Sequence, residues 1–327
     1  MTQQFGYAAP LPVSPACDNY RSLRKHSFFA GLCFLGYFAL QEVLYVFFRW
    51  FGLEDAYLNN PAFQYASSAL IFTIFSLGLP FYLYSRRRGR LSYVKALPFH
   101  TPLPLRKAVL LIVAGFGFCI VSNYVANAAG MVFDSVGIGG YTPEPVASTN
   151  ALDVIMDFVC AAVVAPLVEE FVFRGVLMQP LRRYGDGFAV VATSVLFSLA
   201  HIRPANIVFA FGAGLVIGCA VLYSRSLWVG IIIHALNNGF SVFFTELEYA
   251  VPDLGYIFYN IACGGVVAAG IVALVVYGKS YGLKLRRNNS ELSKNKRIRG
   301  FFFTVPMVLV LLYFAFIIVS NIISNIV

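Results

Sequence analysis

The sequence predicts an all-α protein, a polytopic bundle of about eight to nine transmembrane helices, and three observations carry that reading. Of its 327 residues, 59% are hydrophobic and 12% are charged, whereas a soluble domain carries roughly a quarter charged residues. Apolar runs of about 20 residues, the length that crosses a bilayer, recur along the chain. The short connections between those runs alternate between basic and acidic composition. So large an apolar excess cannot all be folded into a core, and much of it must face lipid. An integral, multi-pass protein of the cell (plasma) membrane is expected.

The chain opens on "MTQQFGYAAPLPVSPACDNY", which lacks a basic start followed by an apolar core. It does not read as a cleavable signal peptide, and residues 1–26 are expected to form a disordered cytoplasmic tail. Hydropathy then places spans at about 27–50, 64–84, 107–133, 151–177, 188–202, 205–224, 227–247, 255–277 and 301–324. The fifth is short, because Arg182 and Arg183 precede it and Arg203 follows it. Residues 21–25, 86–95, 181–183, 224–226 and 279–299 are basic, while Glu54, Asp55, Asp134, Glu144, Glu246, Glu248 and Asp253 fall in the intervening loops. With the N-terminus in the cytoplasm, every basic segment lies inside, as the positive-inside rule requires. The segment 279–299 is expected to be a solvated, flexible basic loop.

The net charge is +9, but it sits in clusters between apolar runs. That pattern suits membrane topology and anionic headgroups, so membrane lipids and not nucleic acid are the expected polyanionic partners. Six cysteines are present without a C-x-x-C pair, which indicates neither a disulfide framework nor a thiolate metal site.

Three stretches inside the spans carry polar groups that are costly at that depth: "EEFVFR" (169–174), "FSLAH" (197–201) and "HALNN" (234–238). Glu170 and Arg174 stand four apart with the acid first, the favourable order for an ion pair along a helix. Glu169 lies about 100° around the helix from Glu170 and has no base three or four residues on, so it needs a partner on another helix. His201 and His234 are the candidates, since His26 and His100 fall in the tail and a loop. A lone intramembrane histidine is more often an interhelical hydrogen-bonding residue, but two of them near a surplus carboxylate favour chemistry. At 1.5 Å per residue, His234 lies roughly 10–12 Å from the cytoplasmic side, Glu169 roughly 15–17 Å and His201 roughly 20 Å. The three therefore share one layer. Asn238 is one turn beyond His234 on the same face, and Phe197 has the same relation to His201. An asparagine in a span is often interhelical glue; beside His234 it could also donate to a shared point.

The set suggests hydrolysis of an amide without a protein nucleophile. A carboxylate and an imidazole can hold water and take its proton, while a second imidazole and an amide can donate to the oxyanion that forms. The same Glu169, His201 and His234 could alternatively bind zinc as a His₂Glu set. There is no H-E-x-x-H helix signature, and a site without metal or other cofactor is the preferred reading.

These stretches resemble the motifs E-E-x-x-x-R, F-x-x-x-H and H-x-x-x-N of the CPBP intramembrane proteases, also called the Abi or CAAX-protease family, which includes the type II prenyl endopeptidases. The matched core is about 150–247, flanked by N-terminal spans over 27–149 and C-terminal spans over 248–327. The resemblance implies a polar cavity open to the cytoplasm and a membrane-associated or prenylated peptide or protein as substrate. It implies that Glu169 and His201 activate water, that His234 and Asn238 form the oxyanion site, and that Glu170 and Arg174 support them. A transporter, or a non-catalytic scaffold of the immunity type that keeps the polar motif, is the alternative.

Overall fold

A computed structural model describes residues 16–87, 104–139, 148, 150–283 and 291–326. These form helices α1 (Ala16–Trp50), α2 (Glu54–Asn59), α3 (Pro61–Arg86), α4 (Leu105–Ser135), α5 (Ala151–Tyr184), α6 (Asp186–Leu199), α7 (Pro204–Ser224), α8 (Leu227–Ala250), α9 (Pro252–Tyr281), α10 (Lys294–Phe302) and α11 (Val305–Ile326). Eight of them, all except α2, α6 and α10, are long and apolar enough to cross a membrane. The protein is an all-α polytopic bundle, as the sequence predicts.

The fifth expected span is corrected. α6 has 14 residues, about 21 Å at 1.5 Å per residue, short of the roughly 30 Å hydrocarbon layer. The chain stops there because "HIRP" reverses it. Pro204 opens α7 and Arg203 before it is extended (φ −71°, ψ 136°), as a residue preceding proline prefers. Ile202 is left-handed at φ 60°, a strained conformation for a β-branched residue. α6 and α7 then pack back to back through small residues. A Cβ at Gly214 would lie 3.0 Å from Ser194 Oγ, and one at Gly218 would lie 3.0 Å from Val190 Cγ1. One turn forward on α7 thus matches one turn back on α6, an antiparallel pair. It brings the basic residues at 182–183 and at 225 to the same end, so the alternation of basic and acidic connections survives the loss of a full span. Gly117 of α4 and Gly270 of α9 make a similarly close approach, a Cβ on the first meeting the Cα of the second at 2.8 Å, the small-residue packing expected between membrane helices.

The N-terminal tail is also corrected from residue 16 onward; residues 1–15 lie outside the described residues. Residues 16–26 are the first turns of α1. His26, assigned to the tail by its polar neighbours, is buried, with Nδ1 2.7 Å from Tyr84 Oη and Nε2 3.3 Å from the Leu177 carbonyl. Tyr184 Oη donates to the Asn19 carbonyl at 2.9 Å. The basic loop expected over 279–299 likewise ends in structure. Ser293 caps α10, and Arg297 donates to the Tyr184 carbonyl at 2.7 Å. Residues 284–290 of that loop, like His100, lie outside the described residues.

Candidate active site

α5 carries the first stretch, and its backbone is irregular on both sides of the two glutamates. Cys160–Val164 and Phe171–Leu177 are π turns, and Ala165–Glu170 is an α-helical turn between them. Such widened turns are frequent at functional sites. Pro166 gives the physical reason for the first. The Ala165 N–H bonds the Cys160 carbonyl five residues back, so the next bond in that register would run from residue 166 to the Ala161 carbonyl. Proline has no N–H to make it. Asn238 Nδ2 supplies the missing donor, reaching Ala161 O at 2.9 Å. The Asn238 Oδ1 accepts from Asn237 Nδ2 at 3.2 Å. One amide hydrogen of Asn238 is therefore committed to holding α8 against α5, the glue role that sequence reasoning set beside the catalytic one. The other amide hydrogen has no acceptor among the described residues.

The expected ion pair between Glu170 and Arg174 is present. Arg174 Nη1 lies 2.9 Å from Glu170 Oε1, with the two side chains 1% and 0% exposed. The guanidinium also donates from Nη2 to the Gly214 carbonyl at 3.3 Å and stacks 4.6 Å over the Phe197 ring. Burial this complete without that set of partners would be prohibitive.

Glu169 finds its partner on another helix, as its lack of a local base requires. His234 Nε2 of α8 lies 3.9 Å from Glu169 Oε2. Glu169 is the more open of the two glutamates, with 22% of its side chain exposed against none for Glu170. His201 stands at the reversal between α6 and α7, where Nδ1 lies 2.9 Å from the Phe197 carbonyl. A carbonyl only accepts, so Nδ1 carries the proton and Nε2 of a neutral His201 keeps its lone pair. Phe197, singled out beside His201, joins the whole cluster. Its ring makes edge contacts to His201 at 4.8 Å, to His234 at 5.8 Å and to Phe173 at 5.1 Å, besides carrying the Arg174 guanidinium.

One contact was not anticipated. His234 Nδ1 lies 2.9 Å from Glu170 Oε1, the oxygen that also takes Arg174. Spacing within α5 identified the Glu170–Arg174 pair, but no spacing rule links residues 64 positions apart. For the zinc alternative, no group of three or more His, Cys, Asp or Glu side chains among the described residues is arranged to hold a metal ion.

The fold and the site together define a helical membrane protein with a carboxylate–imidazole–guanidinium cluster buried among its spans. Residues 151–240, from the start of α5 into α8, match the family described as Type II CAAX prenyl endopeptidase Rce1-like. That segment contains all seven residues singled out above. The chain is 30% identical over 142 residues to the membrane-embedded CAAX protease MroQ of Staphylococcus aureus (strain USA300), covering 40% of this chain and 57% of that protein. It is 25% identical over 139 residues to YdiL of Bacillus subtilis (strain 168), a membrane peptidase by provisional name, covering 41% and 55%. The chain thus spans little more than half the length of these curated relatives. No solved structure matches it.

Proposed function

We propose that the chain is an intramembrane endopeptidase that hydrolyses a peptide bond of a membrane-associated or lipid-modified peptide or protein. The observation that carries the reading is the meeting of Glu169 and His234 across α5 and α8 beside His201, inside the segment that matches the Rce1-like family. Glu169, the partly exposed carboxylate, and His201, with a lone pair on Nε2, hold water and take its proton as it attacks the scissile carbonyl. Attack places negative charge on the carbonyl oxygen. His234 Nε2 and the second amide hydrogen of Asn238 donate to that oxygen. The tetrahedral species collapses with loss of the amine, which takes up the proton that water gave. No bond to the protein forms. The site works without a metal ion and opens toward the cytoplasmic side, where the basic connections lie.

The MroQ name and the family description both specify CAAX substrates, and a prenylated C-terminal peptide is therefore the first substrate to offer. The test is cleavage of matched prenylated and unmodified peptides by detergent-purified protein, with and without a strong chelator. Cleavage that survives the chelator supports the metal-free mechanism, and a preference for the prenylated peptide supports the substrate class. Activity lost to chelator and restored by zinc would overturn the metal-free mechanism. No cleavage of any peptide would overturn the peptidase reading and favour a scaffold or carrier.

A further inference from the structure

Spacing along the chain pairs Glu170 with Arg174, and the resemblance gives the two a supporting role without naming what they act through. The contacts around Glu170 show a second partner. Glu170 Oε1 receives Arg174 Nη1 and His234 Nδ1, each at 2.9 Å. A guanidinium only donates, so Oε1 stands in this cluster as an acceptor and the His234 nitrogen facing it carries the hydrogen. This fixes the ring in one orientation, Nδ1–H toward Glu170 and Nε2 toward Glu169. Phe197 packs edge to face with the imidazole, the ring centroids 5.8 Å apart at an interplanar angle of 89°.

Glu170 is itself fully enclosed. Its other oxygen, Oε2, is buried and bonds to no described group, lying against Gly230 of α8. A Cβ at residue 230 would sit 3.2 Å from that oxygen, 2.6 Å from Val221 Cγ2 and 3.2 Å from Ile217 Cγ2. Glycine at 230 is thus what lets the carboxylate enter between α7 and α8. With Nδ1–H committed to Glu170, His234 needs a second hydrogen, on Nε2, to donate to the oxyanion of the proposed mechanism.

We infer that Glu170 is a positioning residue for His234, fixing a proton on Nδ1 and turning Nε2 toward Glu169 and the reacting carbonyl. The inference deepens the peptidase reading and rests on it for its catalytic meaning, but the orientation can be measured without turnover. The chain has four histidines, so ¹⁵N-histidine labelling with a His234→Asn reference isolates the His234 signals. In the wild type Nδ1 is expected to be protonated and hydrogen-bonded. In Glu170→Gln, whose amide is a weaker acceptor, that signal should shift and the share of His234 carrying a hydrogen on Nδ1 should fall. Gly230→Ala, whose Cβ would crowd Glu170 Oε2 at 3.2 Å as well as Val221 Cγ2 at 2.6 Å and which leaves the ionisable groups in place, should shift it in the same direction. In peptide cleavage, both variants should lose about tenfold or more in kcat, the scale of one hydrogen bond to a charged group, with KM changed less than about twofold.

A His234 Nδ1 that carries no hydrogen in the wild type, or a His234 spectrum unchanged in both variants, would overturn the inference whatever the activity. Should Glu170→Gln fail to fold, Gly230→Ala and the wild-type spectrum still decide. A wild type with the expected spectrum and no cleavage would instead refute the peptidase reading and leave the Glu170–His234 orientation standing.

Discussion

Arg174 pairs with Glu170 and ties α5 to the Gly214 carbonyl and to the Phe197 ring, and replacing it tests the packing account quantitatively. Arg174→Met keeps an unbranched stem of similar length and removes three interactions. These are the 2.9 Å ion pair to Glu170, the 3.3 Å hydrogen bond to Gly214 O and the 4.6 Å stack on Phe197. Deleting one partner of a buried ion pair costs about 3–5 kcal/mol, because the other charge stays buried. The abandoned Gly214 carbonyl adds a smaller desolvation cost. The terms are not additive, and about 3 kcal/mol is a lower bound. At about 2 °C per kcal/mol for a long chain, the melting temperature should fall by roughly 6 °C or more. A thiol-reactive dye reports this directly, since Cys119 and Cys263 are free and buried. The double variant Glu170→Gln/Arg174→Met removes both charges and should melt above Arg174→Met alone. A melting temperature within about 2 °C of wild type for Arg174→Met, or a double variant less stable than it, would refute the reasoning.

Glu169→Gln and His201→Ala should each abolish hydrolysis while leaving the melt near that of wild type, because both side chains are partly exposed; kcat on the best peptide checks this. Asn238→Ala should lower kcat about 100- to 1000-fold if its second hydrogen reaches the oxyanion, and should also lower the melting temperature because Ala161 O loses its donor. A melting loss with unchanged kcat would reduce Asn238 to a helix tie. Gly214→Val should lower yield, since Ser194 is already 3.0 Å from where a Cβ would sit; detergent-extracted monodisperse protein measures it.

Much of this arrangement was legible in the sequence because it follows rules that act locally. Hydropathy finds lipid-crossing runs, and i to i+4 spacing predicts the Glu170–Arg174 pair. The unpaired carboxylate of Glu169 predicted a histidine on another helix, which the structure supplies as His234. What escaped depends on the third dimension. His26 looked like tail because the turns before it are charged, and hydropathy cannot see that a polar helix end is buried against Tyr84 and Leu177. The short α6 was counted as a span because its composition is apolar; only its reversal at Ile202 and Pro204 limits its length. The π turns of α5 leave no compositional mark beyond Pro166. Glu170 therefore seemed complete with one partner, when its second comes from α8.

The most direct test of the central claim is turnover of a peptide substrate by Glu169→Gln beside wild type, in protein shown to be equally folded by its melt. The account predicts cleavage by the wild type and none by Glu169→Gln at the same melting temperature. Equal cleavage by both proteins would contradict it, because no other carboxylate in the cluster is open to the reacting carbonyl.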